Sequence, residues 1–149
     1  TPTSSANFNL NSLLFFSNNK KLKKEQIFLI ILSKNLIKYA GLRPELDYLQ
    51  FDPALAYGVS ETIDITEMIE ENSWSRKKFF PHGGNLLALS LTGALRLGGC
   101  ESYPGVFQPF GGFTDSSIIE DGFIPLSDAP GIGFEKKISL YKTLKTLIS

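Results

Sequence analysis

Residues 77–103 read "KKFFPHGGNLLALSLTGALRLGGCESY", and this stretch decides the fold class. The short apolar and aromatic runs at its two ends, 77–82 and 100–103, are typical of buried strands. The segment between them, 84–99, carries almost no charge and is long enough to form a covered helix. A strand, a helix and a second strand in this order predict one unit of a parallel sheet.

The preceding residues extend this rhythm by another strand and another helix. The stretch "LDYLQFD" (46–52) predicts a buried strand, and "LAYGVSETIDITEMIEE" (55–71) predicts an amphipathic helix. The apolar residues of that helix recur at roughly helical spacing, with acids opposite them: Leu55, Val59, Ile63, Met68 and Ile69. Each connection is longer than the dozen or so residues that a parallel crossover needs. The sequence therefore predicts the α/β class.

Three polar residues close the three predicted strands. Asp52, His82 and Glu101 each stand at the C-terminal end of one of them. Ligands and catalytic groups of α/β proteins gather at this edge of the sheet. Adjacent strands lie about 4.7–4.9 Å apart, so side chains at neighbouring strand ends can meet. We expect a functional site here.

Each of the three residues has a chemical interpretation and a structural one. His82, the only histidine, could exchange protons near neutral pH, or it could be a structural or merely exposed residue. Asp52 could orient the imidazole ring, or it could cap the helix that follows. Glu101 could bind a substrate oxygen or act as an acid, or it could pair with a nearby Arg or Lys.

Composition argues against several classes of protein. Fifteen basic and fifteen acidic residues give a net charge of +0, so we expect neither a nucleic-acid partner nor a membrane partner. The apolar run 27–32 is far shorter than the roughly 20 residues of a spanning helix, and no small-residue cleavage site follows it. It is predicted instead to belong to a helix over 28–40 that ends at Gly41. The single Cys100 permits no internal disulfide and favours a reducing compartment, the cytoplasm.

Other catalytic and binding motifs are not found. The glycine pairs form neither GxGxxG nor a P-loop, no nucleophile elbow is present, and Cys100 has no companion for a metal site. Four aromatic residues of the following loop could line a pocket or belong to the core: Tyr103, Phe107, Phe110 and Phe113.

The C-terminal part has a different pattern. "SIIEDGFIPL" (117–126) predicts a hairpin with Asp121-Gly122 at its turn. "KKISLYKTLKTLIS" (136–149) predicts an amphipathic helix, with one apolar side formed by Ile138, Tyr141, Leu144 and Ile148.

Four stretches in the same order carry a family resemblance: "YLQFDPALAYG", "WSRKKFFPHGGNLLALSL", "LGGCESYPGVFQPFGGF" and "DGFIPLSDAPGIGFE". From about Asn35 to its end, the chain resembles the C-terminal third of the enolase superfamily. The branch is that of mandelate racemase and muconate lactonizing enzyme, and the similarity is greatest to acid-sugar dehydratases of the D-tartrate dehydratase type. The resemblance implies about the last three strands of a TIM-type (β/α) barrel, followed by a hairpin and a helix. It divides the chain into an atypical leader (1–33), a barrel segment (34–104) and a C-terminal part (105–149) that packs toward a capping domain.

The resemblance also implies an activity and roles for residues. The parent enzymes are Mg²⁺-dependent lyases that remove a proton alpha to a carboxylate and eliminate water to give a 2-keto acid. His82 matches the proton-exchanging histidine of the seventh strand, Asp52 its partner on the sixth, and Glu101 the acid of the eighth that hydrogen-bonds the substrate. The implied partners are a small acid-sugar substrate and further copies of the parent chain. The alternative is a truncated relative without activity that serves as a binding or assembly module.

The metal site is where the chain departs from the family. Two of the three magnesium ligands belong to strands upstream of this sequence, so we expect this chain alone to hold Mg²⁺ weakly. Glu25 falls at the place of the third, but Lys24 stands where the family has glycine. Either this match is accidental, or residues 1–33 replace the native segment. Because the chain begins with Thr1, we expect a fragment or a processed protein.

Overall fold

The computed structural model describes residues 13–14, 27–29, 37, 41–103, 105–128 and 130–148. The strands are β1 (Leu13–Leu14), β2 (Ile27–Leu29), β3 (Tyr48–Phe51), β4 (Phe79–Pro81) and β5 (Phe123–Ile124). The helices are α1 (Val59–Glu71), α2 (Leu86–Ala94) and α3 (Ile138–Leu147), with 3₁₀ turns at Arg76–Lys78 and Phe134–Lys136. The protein is mixed α/β. None of the helices in these ranges is long and apolar enough to cross a membrane.

A parallel sheet in the order β2-β3-β4 forms the centre of the fold. In its register Phe28 lies opposite Leu49, which in turn lies opposite Phe79. The predicted strand–helix–strand unit is confirmed for β3, α1 and β4. The helix predicted over 28–40 is wrong at its start, because Ile27–Leu29 finds backbone partners on β3 instead. Ile37 is helical and Gly41 has φ +68°, which suits a C-cap, while residues 30–36 and 38–40 lie outside the described residues.

The segment predicted as a third strand, 100–103, lies beside β4 but is not a regular strand. Gly98 N–H donates to the carbonyl of Phe79 (3.1 Å), and Glu101 N–H donates to that of Pro81 (3.2 Å). Between these two hydrogen bonds the segment advances by three residues (98 to 101), whereas β4 advances by two (79 to 81). This mismatch, as in a β-bulge, interrupts the regular hydrogen-bond ladder. A Cβ on Gly98 would lie 2.1 Å from the carbonyl oxygen of Lys77, so only glycine permits this close approach.

The two faces of β3 have different surroundings. Leu49 and Phe51 are buried in the main core with residues of α1, β4 and the connecting loops: Ile37, Ala56, Ile69, Trp74, Phe79 and Leu97. Tyr48 and Gln50 alternate with them and are only half-buried. A second core joins α2 to the C-terminal part through Ala88, Leu89, Cys100, Phe113 and Ile124. The face with Leu49 and Phe51 is therefore covered by the main core, while the face with Gln50 carries polar residues together with Phe80, which is 9% exposed.

Helix α1 begins four residues later than predicted and buries a different side. The segment from Asp52 to Gly58 forms turns, in which Ala56 N–H donates to the carbonyl of Asp52 (3.1 Å). The predicted apolar side is wrong for Leu55, Val59 and Ile63, which are exposed, and right for Ile69, which is buried, and Met68, which packs against the core. The buried residues of α1 are Thr62, Thr66 and Ile69. Both threonine hydroxyls donate to backbone carbonyls four residues earlier, so these side chains can be buried with their polar group satisfied.

The predicted turn and the terminal helix of the C-terminal part are confirmed. Glu120 and Phe123 exchange two backbone hydrogen bonds (3.0 and 2.8 Å) around Asp121 and Gly122, both with positive φ. The hairpin itself is limited to this pair, because β5 pairs with β1. Helix α3 follows the predicted pattern, but none of its residues is buried.

Candidate active site

Asp52 and His82 follow β3 and β4 directly, at the C-terminal edge of the sheet. Side chains alternate along a strand, so Asp52 shares a face with Gln50, and His82 shares one with Phe80. The N–H of His82 donates to the carbonyl of Phe51 (2.7 Å) and extends the pairing of the two strands by one residue. This bond fixes the backbone of His82 beside that of Asp52.

The imidazole of His82 lies between two carboxylates. Its Nδ1 is 3.1 Å from Oδ2 of Asp52, and its Nε2 is 3.5 Å from Oε2 of Glu101. The structure thus brings together the three residues that the sequence predicted at the strand ends, on the same side of the sheet. The His82 side chain is 36% exposed, so its ring is open to a small molecule. Their catalytic roles stay predictions.

Asp52 serves two structural purposes at once. Its Oδ2 faces the imidazole, while its Oδ1 accepts hydrogen bonds from the N–H groups of Ala54 (2.8 Å) and Leu55 (3.2 Å). The sequence offered Asp52 either as the partner of His82 or as the cap of the following helix. The contact with His82 is observed, whereas the helix begins after Gly58 without a side-chain cap, and Asp52 caps the preceding turn instead. The capped turn fixes the carboxylate, which in turn orients the ring.

Glu101 is held by uncharged donors. Gln50 Nε2 donates to Oε1 at 2.5 Å, while the N–H of Gly83 (3.1 Å) and the hydroxyl of Tyr103 donate to Oε2. Within the described residues no Arg or Lys forms an ion pair with it, so the predicted structural alternative for Glu101 is not observed. The carboxylate is oriented on both oxygens.

Tyr103 is packed so that its hydroxyl meets Glu101. Burial of the phenol and its hydrogen bond to Glu101 raise the pKa of Tyr103 to about 12, so the hydroxyl stays protonated and keeps donating. Gly84 makes room for this ring, since a Cβ there would lie 2.8 Å from Cδ2 of Tyr103. Gly84 also has φ +52°, a region that favours glycine.

The sequence did not identify Gln50 as part of the site, and it considered Tyr103 only as a pocket or core aromatic. A signal was present for both, because Gln50 precedes Asp52 by two positions and Tyr103 follows Glu101 by two. In extended chain that spacing places side chains on one face. Of the other loop aromatics, Phe113 belongs to the core, whereas Phe107 and Phe110 are exposed.

The site does not fit a magnesium ion within the described part of the chain. In those residues no three His, Cys, Asp or Glu side chains are grouped as a metal site requires. The oxygens of Asp52 and Glu101 face hydrogen-bond donors, whereas Mg²⁺ wants near-octahedral oxygen coordination. The predicted ligand Glu25 lies outside the described residues. Cys100 is buried, and burial raises its pKa to about 12, so it is a core residue and not a nucleophile.

None of the models of known protein families matches this sequence.

Proposed function

We propose that this chain is the C-terminal part of an acid-sugar dehydratase of the enolase superfamily, in the cytoplasm. In this proposal β3, β4 and the segment 100–103 are the last three positions of a TIM-type (β/α) barrel, and β2, which lies within the predicted leader, stands at the position before them. The support is the parallel order of the three strands and the Asp52–His82–Glu101 row at their C-terminal edge. Among these observations, the imidazole held between two carboxylates carries the proposal.

The geometry of the row suits proton transfer by His82. Asp52 accepts the Nδ1 hydrogen, so Nε2 is the nitrogen that exchanges a proton with a substrate. Nε2 also faces Glu101, and the ring is open on one side. A substrate hydroxyl entering there would take the Nε2 proton and leave as water.

The proposed reaction begins when Nε2 of His82 takes the proton alpha to the substrate's carboxylate, which gives an imidazolium paired with Asp52, and this same proton is the one that His82 then gives to the leaving hydroxyl. The electron pair of that C–H bond forms a carbon–carbon double bond, and the C–O bond of the β-hydroxyl breaks as its oxygen receives the proton from His82. The enol that remains becomes a 2-keto acid. Glu101, oriented by Gln50, Gly83 and Tyr103, hydrogen-bonds the substrate. In the parent family Mg²⁺ stabilises charge on the substrate's carboxylate, and its ligands would come from residues outside this site.

A second candidate is an inactive relative that binds small acids or assembles with other chains. The observation in its favour is that each Glu101 oxygen already accepts a hydrogen bond within the described structure. In this case His82 and Glu101 would hold a ligand without changing it.

The test is an assay for 2-keto acid from D-tartrate and galactarate with Mg²⁺ present. The assay compares the full-length natural protein with its His82→Asn variant. We expect turnover that falls about 10²–10⁴-fold in His82→Asn, the usual contribution of a general acid or base. Asp128→Asn, an exposed acid outside the row, is the matched control and should retain activity. Turnover that is unchanged in His82→Asn would refute the proposed role, and binding without turnover would establish the second candidate.

A further inference from the structure

Helix α1 has an exposed side that is partly apolar and partly acidic. Val59 (46% exposed) and Ile63 (37% exposed) are four positions apart and therefore lie on one face. The helix contains acidic residues but no basic one, and four of its acids are exposed: Asp64, Glu67, Glu70 and Glu71. Among the described residues only Glu70 of these four forms an ion pair, with Arg76, so this side keeps a negative charge. The apolar pair and the four acids together are the α1 surface.

Helix α3 has an exposed side with the opposite charge. Tyr141, Leu144 and Leu147 are spaced three positions apart, and all three are exposed. Lys142 and Lys145, also three apart, are exposed beside them, and Nζ of Lys145 lies 4.8 Å from the centre of the Tyr141 ring. The chain has no acidic residue from 136 to 149, so this side is positive. These five residues are the α3 surface.

The two surfaces match each other in chemistry. Each combines apolar side chains with one sign of charge, and exposed apolar patches with a polar border mark interaction sites. Opposite potentials meet across protein interfaces, so the α1 surface needs a basic apolar partner and the α3 surface an acidic apolar one. Both are exposed, so within one chain neither covers the other. A second copy of the chain supplies both partners, whereas an anionic membrane would repel the acids of α1 and leave that surface uncovered.

We propose that the α3 surface of one copy docks on the α1 surface of a second copy. The apolar side chains of the two helices pack together, and Lys142 and Lys145 lie opposite Asp64 and Glu67. Because the two surfaces are different, the contact is heterologous and can pass from copy to copy. It uses no residue of the Asp52–His82–Glu101 row, so it is independent of the proposed function.

The test is sedimentation velocity of the 149-residue protein over a range of concentrations, with circular dichroism to verify that each variant is folded. We expect wild type to self-associate. Lys142→Glu combined with Lys145→Glu should weaken the self-association at least about tenfold, because like charges then face each other across the contact. Both lysines are exposed, so the two changes leave the packing of the chain itself unaltered.

A charge swap within one chain makes the test specific for this pair of surfaces. Asp64→Lys and Glu67→Lys, added to the α3 variant, return the net charge to +0 and again give the two helices opposite signs, so self-association should return to the wild-type level. The matched control adds Glu120→Lys and Asp128→Lys instead, at exposed positions outside both helices. It has the same net charge as the swapped chain, but α1 and α3 are both acidic, so its self-association should stay weak.

Equal self-association of the swapped chain and the control overturns the proposal, and so does a wild type that is monomeric at every concentration. A membrane partner gives a different result. If Lys142→Glu with Lys145→Glu leaves self-association unchanged but abolishes binding to phosphatidylserine vesicles, the α3 surface belongs to a membrane contact and the proposal is wrong.

Discussion

Glu101 shows how single residues shape this site. It receives hydrogen bonds from Gln50, Gly83 and Tyr103, and it faces the Nε2 of His82. A carboxylate so placed can orient an imidazole or a substrate, but it also changes the groups that donate to it. Tyr103 is the donor whose acidity reports on this contact most directly.

We therefore predict an unusual titration for Tyr103. In a spectrophotometric titration, the difference between wild type and Tyr103→Phe should show a midpoint near pH 12, against about 10 for an exposed tyrosine. The causes are burial of the phenol, its hydrogen bond to Glu101 and the carboxylate charges of Glu101 and Asp52. Glu101→Gln should move the midpoint toward 10.

Because the pKa of Tyr103 is raised in the folded state, its contribution to the free energy of unfolding depends on pH. The stabilisation contributed by neutral Tyr103 is fully present below about pH 10 and is lost as pH rises toward about 12. A wild-type midpoint near 10 would show that the Tyr103–Glu101 contact is not maintained in solution.

At the scale of elements, Asp115 joins the loop of residues 105–115 to helix α3. Its Oδ1 lies 2.9 Å from the ammonium of Lys137, and its Oδ2 accepts the N–H of Ile138 (3.1 Å), the first residue of the helix. A carboxylate at a helix N-terminus satisfies a free N–H and interacts favourably with the helix dipole. These bonds hold the pKa of Asp115 below its ordinary value.

We predict that in Asp115→Asn the free energy of unfolding decreases less steeply as the pH falls into the acid range. Because the pKa of Asp115 is lowered in the folded state, its stabilisation is present above its unfolded value, about 3.9, and is lost as pH falls through the folded value. Urea unfolding monitored by circular dichroism should show the variant less stable at neutral pH, with the difference shrinking in acid. Asp121→Asn, an exposed turn acid, is the control. A difference that is the same at every pH would contradict this assignment.

At the scale of the whole molecule, much apolar surface is left uncovered. Helix α3 exposes Ile138, Tyr141, Leu144 and Leu147, and α1 exposes Val59 and Ile63. Among the described residues, no further strand pairs with the outer edge of β2. Open strand edges and large apolar patches favour association with other chains.

We predict that the 149-residue protein elutes in large species and binds a hydrophobic dye strongly. Replacing Leu144 and Leu147 by Lys on α3 should reduce dye binding and shift elution toward smaller species. Thr143→Lys combined with Thr146→Lys adds the same two charges to the same helix at exposed polar positions and is the matched control. A sharp monomer peak with cooperative thermal unfolding would show instead that the chain is a self-sufficient domain.

The sequence by itself determined the features that depend on neighbours a few residues apart. Helix α3 follows from the 3.6-residue spacing of its apolar residues. The turn follows from the residue types of Asp121 and Gly122. The strand–helix–strand order around His82 follows from short apolar runs that alternate with a longer helical segment. The C-terminal edge position of Asp52, His82 and Glu101 follows in turn from that order. These signals are local, so no knowledge of the packed chain is needed to interpret them.

Only the tertiary structure decided the features that depend on residues far apart in sequence. Ile27–Leu29 is a strand because β3 supplies its backbone partners, although its composition equally fits a helix. Thr62 and Thr66, not Val59 and Ile63, are buried because the core meets α1 on that side. The spacing of Gln50 and Asp52 places both on one face, but it does not indicate that Gln50 bonds to Glu101, which is 51 positions away. Pairing and burial are properties of surfaces that exist only once the chain has folded, and a local pattern does not specify which surfaces will meet.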